Sequence, residues 1–185
     1  MDRIRDRLKV EDRRPEDGLY YDLPDAGYRR SDYWQISLGT TGRDFYYNLL
    51  RSYLQSGGKL KEALQLYNEA IGDIIERSEM ITSTGGGSVW VQDALLPVGK
   101  TVLEYRKTMT YSACYLGAMF ALGAATFKKE DDRCSPLARR QRQLAVELTR
   151  TCHQVATGSP TKLGPGEWTP PVDYQNLTEK SYYLR

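Results

Sequence analysis

Between residues 42 and 158 the apolar positions recur with helical spacing, and glycine and proline break the rhythm between segments. The spacing predicts a helix over 42–55, with Phe45, Leu49 and Tyr53 in one row and Tyr46, Leu50 and Leu54 beside it. Gly57-Gly58 ends it. A second helix follows over 59–76, its face made by Leu60, Ala63, Leu64, Tyr67, Ile71, Ile74 and Ile75. Two amphipathic helices joined by so short a turn read as an antiparallel hairpin. Over 81–99 the period changes: Thr84-Gly85-Gly86-Gly87 reads as a turn, Val89-Trp90-Val91 as a strand, and Pro97 closes the stretch.

Met109 to Ala124 carries no charge, and its small and apolar residues cover every side of a helical projection. Such a helix has to be enclosed by others. Sixteen residues fall short of the roughly 20 that span a bilayer, which favours a core helix over a membrane segment. After a charged loop over 127–133, Ser135 offers an N-cap oxygen and Pro136 fits the first helical position. Leu137, Gln141, Leu144, Ala145, Leu148, Cys152 and Val155 form the buried row of the next helix, and Gly158 stops it. A long loop with Pro160, Pro165, Pro170 and Pro171 follows; residues 1–33 are charged, turn-rich and irregular. The pattern as a whole predicts an all-α class, with helix pairs separated by hairpins and long loops. Each pair leaves an apolar face, so 1–185 reads as a single partial domain, an arc of an α/α toroid.

Composition narrows the function. With 26 basic and 24 acidic residues the net charge is +2, so nothing points to nucleic acid. The first ten residues have no apolar run, so no signal peptide is expected in them. Fourteen tyrosines against three phenylalanines suit half-wet grooves, sugar clefts among them, and ordinary core edges equally well. Cys114, Cys134 and Cys152 include no CxxC pair, which argues against zinc, and Asn176-Leu177-Thr178 is a glycosylation triplet.

Several segments resemble the class I α-1,2-mannosidases, glycoside hydrolase family 47. The run Met109-Thr-Tyr-Ser-Ala-Cys114-Tyr-Leu-Gly117-Ala-Met119-Phe-Ala-Leu-Gly123 follows the family's M-x-H-L-x-C-F-x-G-G-M-F-A-L-G without a gap. Ser37-Leu-Gly39-Thr-Thr-Gly42-Arg-Asp-Phe45-Tyr-Tyr-Asn-Leu49-Leu-Arg51 resembles S-V-G-G-L-G-D-S-F-Y-E-Y-L-L-K. Thr149-Arg150-Thr151-Cys152-His153 is similar to A-R-T-C-H, and Leu163-Gly164-Pro165 to L-G-P-E. Tyr183-Leu184-Arg185 stands where the family continues into P-E. The likeness runs in order over about 18–185. It implies an (α/α)7 barrel that trims high-mannose N-glycans in the endoplasmic reticulum or Golgi, by a calcium-dependent, inverting reaction. Inversion takes one carboxylic acid and one carboxylate, spaced to admit a water. An oxygen-rich shell fits calcium.

The departures fall on polar positions. The family's acid glutamate lies upstream of these segments, its base past Arg185, and its calcium-holding threonine near the family's C-terminus. Read without gaps, Arg43 stands at the family's site aspartate and Tyr47 at its glutamate. A shifted alignment puts Asp44 and Asn48 there instead. Tyr111 replaces a histidine, and Gly166 the glutamate of L-G-P-E, with Glu167 one place late. Glycine and apolar positions are kept while site positions drift.

The site candidates follow. Asp44 is either a catalytic carboxylate or a residue favoured at a helix start. Arg185 and Glu167 are substrate-binding candidates, against the reading of both as solvated charges. Cys114 and Cys152 stand at the family's disulfide positions; the alternative is two buried free thiols, with Cys134 unpaired either way. A bridge would imply an oxidising compartment. His153, the only histidine, has no second histidine to share a metal, and no residue of the chain is expected to ligate one. Trp34, Trp90 and Trp168 each suit either a sugar face or packing. Three functions remain: a portion of a mannosidase, inactive alone; a non-catalytic glycan-binding or quality-control protein of the same architecture; and a helical scaffold.

Overall fold

The computed structural model describes residues 19–22, 33–39, 41–77, 79–83, 88–127, 135–158, 161–169 and 182–183. Among them the elements are β1 (Tyr33–Ile36), α1 (Thr41–Gln55), α2 (Lys61–Glu76), β2 (Ile81–Ser83), β3 (Val89–Val91), β4 (Ala94–Pro97), β5 (Glu104–Tyr105) and β6 (Met109–Thr110). A 3-10 turn (Tyr111–Tyr115), α3 (Leu116–Ala125), α4 (Pro136–Gly158), β7 (Glu167–Trp168) and β8 (Tyr182–Tyr183) complete them.

Helices dominate, and three of the four keep the expected bounds to within a few residues. Gly57 and Gly58 take φ of +66° and +83°, a left-handed bend that stops α1 and returns the chain to pack α2 against it. Leu60 donates its N–H to Ser56 Oγ at 3.0 Å ahead of α2. At α4 the N-cap is formed as expected, with the Ala138 N–H on Ser135 Oγ at 3.1 Å.

The all-α expectation needs amending. Short antiparallel strands form three small sheets, ordered β1-β4-β5, β2-β3 and β6-β7-β8. Val89–Val91 is a strand as read, in a hairpin with β2. The β1-β4-β5 sheet was not anticipated: four residues of β1 face β4, Trp34 opposite Leu96 and Ile36 opposite Ala94.

The central segment is also corrected. Met109 and Thr110 are not helical but pair with Trp168 and Glu167, and the Tyr111 N–H continues the ladder to the Gly166 carbonyl at 2.9 Å. Tyr111–Tyr115 is 3-10, and the α-helix starts only at Leu116. Local propensity allowed a longer helix, but the backbone groups at its start are taken by a strand about 58 residues later in the chain. The remaining ten-residue α3 is far too short to cross a membrane, and no described helix is long and apolar enough to do so.

One cluster forms the core. Leu50, Tyr67, Ile71, Ile74, Leu116, Phe120, Leu144 and Leu148 from the four helices meet Ile36 and Trp90 from the strands and Met80 from the turn before β2. Burying each large apolar side chain contributes roughly 1.5–3 kcal/mol. Deep in it Gly123 lets three helices converge: a Cβ there would strike Gln141 Oε1 of α4 and the Tyr67 hydroxyl of α2. These two side chains share a buried hydrogen bond of 2.9 Å. A Cys114–Cys152 disulfide joins the 3-10 turn to α4. Enclosure of α3 is incomplete: Ala118, Ala121, Leu122 and Ala125 lie exposed along one side, Leu122 at 39%.

Candidate functional site

The site begins at the turn between β1 and α1. Ser37, Leu38 and Gly39 are buried there. The Ser37 N–H donates to Asp22 Oδ1 at 2.6 Å, and Ser37 Oγ accepts the Gly42 N–H at 3.1 Å. Gly42 has no room for a side chain, because a Cβ would meet the Ser37 carbonyl and Asp22 Oδ1. Gly39 presses in the same way on Thr110 and Ala113. The turn is thus fixed against the chain that precedes β1 and against the 3-10 turn.

Its consequence is the placement of Arg43 and Asp44 in the first turn of α1. Arg43 donates from Nε and Nη2 to Asp44 Oδ1 at 2.9 and 2.7 Å, and from Nη1 to the Ser112 carbonyl at 3.2 Å. Its guanidinium lies 5.3 Å from the centre of the Tyr115 ring, within cation–π range. The Arg43 side chain is 21% exposed and that of Asp44 61%. Arg43, Asp44, Tyr47, Tyr115, Ala118, Met119 and Leu122 line a half-open cleft of about 300 Å³. The cleft holds two aromatic faces and one internally neutralised charge pair. Chemically it offers ring faces and hydrogen-bonding groups to a polar, uncharged ligand.

The other candidates scatter. Glu167 is exposed on β7, opposite Thr110 in the ladder. Tyr111 is half exposed, and a side chain at Gly164 would collide with its ring, so the Leu163-Gly164-Pro165 segment packs on the turn that holds the cleft. His153 is exposed on α4 and with Arg150 edges an open groove between α3 and α4. Trp90 and Trp168 are buried edge to face, ring centres 6.1 Å apart, which settles both as packing residues. Trp34 is 45% exposed and lies against the Tyr21 ring at 5.2 Å, away from those two. Arg185, Cys134 and Asn176 lie outside the described residues.

Sequence reasoning missed Asp22, Asp93, Ser112 and Tyr115. Asp93 receives the backbone N–H groups of Leu38 and Gly39, and Gln35 Nε2 lies 3.4 Å from its Oδ2. Burial, then the charge of Asp22, push its carboxyl up to about 6. Asp22 is raised too, by burial, against its hydrogen bonds with Ser37. A signal was available: Gln92 and Asp93 interrupt an apolar run between Val-Trp-Val and Ala-Leu-Leu, a setting that buries a carboxylate. No three His, Cys, Asp or Glu among the described residues come together to hold a metal ion.

Comparison with known proteins gives a consistent picture. The profile of Glycosyl hydrolase family 47 matches residues 1–183. Mannosyl-oligosaccharide alpha-1,2-mannosidase IA of Drosophila melanogaster is 32% identical over 172 residues, 91% of this chain and 24% of the relative. Mannosyl-oligosaccharide 1,2-alpha-mannosidase IB of Homo sapiens is 32% identical over 163 residues, 88% of this chain and 23% of the relative. The human IC protein is 33% identical over 130 residues, 70% of this chain and 18% of the relative. The chain spans about a quarter or less of the length of these curated relatives.

Proposed function

The chain belongs to glycosyl hydrolase family 47, and on that premise we propose that it forms an arc of a mannosidase-type (α/α)7 barrel that engages high-mannose oligosaccharides without hydrolysing them by itself. Support for the arc comes from the helix pairs and from the uncovered side of α3. Support for the ligand class comes from the relatives, whose names give mannosyl-oligosaccharides as what they act on. The disulfide suits an oxidising compartment, which favours the secretory pathway as the place of work.

One observation carries the claim of inactivity. Inverting hydrolysis needs a carboxylate free to activate water opposite a carboxylic acid. Among the described residues that line the cleft the one carboxylate is Asp44, and its Oδ1 is occupied by two Arg43 N–H donors. The same pair favours a second reading, a non-catalytic glycan-binding protein. An Arg–Asp fork beside exposed tyrosine rings resembles the polar and apolar surfaces that sugars present.

The test is incubation of the purified chain with an α-1,2-linked high-mannose glycan and calcium, following mannose release by mass spectrometry. We expect no release at enzyme-like rates. Measured turnover would overturn the inactivity. Retention on a high-mannose glycan array without release supports the binding reading, and absence of both activities leaves a scaffold.

A further inference from the structure

We propose that Asp22 and Asp93 are positioning residues that together act as a proton-operated clamp on the β1–α1 turn, setting how Arg43 and Asp44 stand in the cleft. The two carboxyls come from segments about 70 residues apart and grip the same short turn. Asp22 takes the Ser37 N–H, and through Ser37 Oγ the grip passes to the Gly42 N–H, one residue before Arg43. Asp93 takes the N–H groups of Leu38 and Gly39. Gly39 is packed on Thr110 and Ala113, whose neighbour Ser112 accepts from Arg43. Moving the turn therefore moves both the residue that carries the guanidinium and the carbonyl that receives it.

The charged groups facing the pair are few. Arg106, exposed at the end of β5, attracts Asp93 and donates to the Tyr33 hydroxyl at 3.3 Å. Its N–H also donates to the Asp93 carbonyl at 2.9 Å. The buried Tyr46 hydroxyl lies near Asp22 and is held neutral by burial. Gln35 is uncharged. Among the described residues no buried cation lies against either carboxyl, and the charge of Asp22 raises Asp93.

The direction follows from linkage. The folded carboxyl of Asp93, at about 6, holds its proton more tightly than the same group in the unfolded chain, at 3.8. Folding is therefore favoured at low pH, and this advantage is lost as pH rises from about 4 through 6. Below that window the proton removes the repulsion but weakens the bonds that Asp93 accepts from the Leu38 and Gly39 N–H groups. Above it those bonds are made to a carboxylate while the two charges oppose each other, so the turn is held differently in the two states. The clamp stands on this geometry and not on the identity of the cleft's ligand.

Amide NMR of the full chain between pH 4.5 and 7.5 tests it. The Ser37, Gly39, Gly42 and Arg43 amides, with Arg43 Nε, should shift together with one midpoint near 6. Flat titration of these signals would overturn the clamp without needing any variant. Asp93→Asn, which imitates the protonated acid, should abolish that midpoint. It should also raise Tm by about 5 °C at pH 7.5 and leave it unchanged at pH 4.5. A variant less stable than the parent at pH 7.5, or one that keeps the midpoint, refutes the assignment. Asp22→Asn should move the midpoint downward by removing the neighbouring charge; an unmoved midpoint separates the two carboxyls and also refutes it.

Discussion

The junction of α2, α3 and α4 and the cleft at the start of α1 lie in one chain but obey different rules. At the junction, Gly123 admits Tyr67 and Gln141 to a sealed hydrogen bond, and Phe120, Leu144 and Leu148 around it are fully buried. The side chains there are sealed from solvent, and among the described residues Gln141 Nε2 has no hydrogen-bond partner. In the cleft, Asp44 and Tyr115 are more than 60% exposed, and Arg43 spends its donors on its own sequence neighbour and one carbonyl. Packing tolerates almost no change of volume, so a retained fold holds the junction fixed. Exposed polar positions are under no such restraint. Helix packing at such a junction can therefore be kept while the polar residues of a cleft change.

The contrast makes graded expectations. The largest effect belongs to the bridge that ties the 3-10 turn to α4. Cys152→Ala should cost about 4 kcal/mol in urea unfolding, as the chain-entropy relation gives for a 38-residue separation. A loss below about 1 kcal/mol would mean that packing holds α4 without the bridge. Next comes Gly123→Val, whose Cβ meets Gln141 and the Tyr67 hydroxyl; overpacking there should cost about 2 kcal/mol by the same measurement. The smallest is Asp44→Asn in the cleft, expected to change stability by less than about 1 kcal/mol because the ion pair is solvent-facing. Retention on a glycan array should fall in that variant while the midpoint of unfolding stays. An Asp44→Asn loss as large as that of Gly123→Val would make the cleft part of the core and erase the distinction.

Much of this was legible in the residues. Of the two rows predicted on the first helix, Tyr46, Leu49 and Leu50 are buried while Leu54 is exposed; Tyr67/Ile71/Ile74 and Leu144/Leu148/Val155 are buried as periodicity predicted, and Ser135 caps the helix it was expected to cap. The pairing of Cys114 with Cys152, left open against two free thiols, is formed. The start of the central helix was not legible. Met109 and Thr110 carry no local mark of a strand and become one only because Glu167 and Trp168 arrive beside them. Nor was the meeting of Asp22 with Asp93 at one turn, since no period or motif links positions so far apart.

The sequence by itself determined where helices run and which faces they bury, because spacing along a helix is a local geometric fact written every three or four residues. Tertiary structure alone decided what the polar residues do. It gave Asp44 an arginine for a partner, made Trp90 and Trp168 core residues, and set two carboxyls under the turn that carries Arg43. The role of a charge depends on its burial and on the groups that reach it, and for Asp22 and Asp93 those come from elsewhere in the chain.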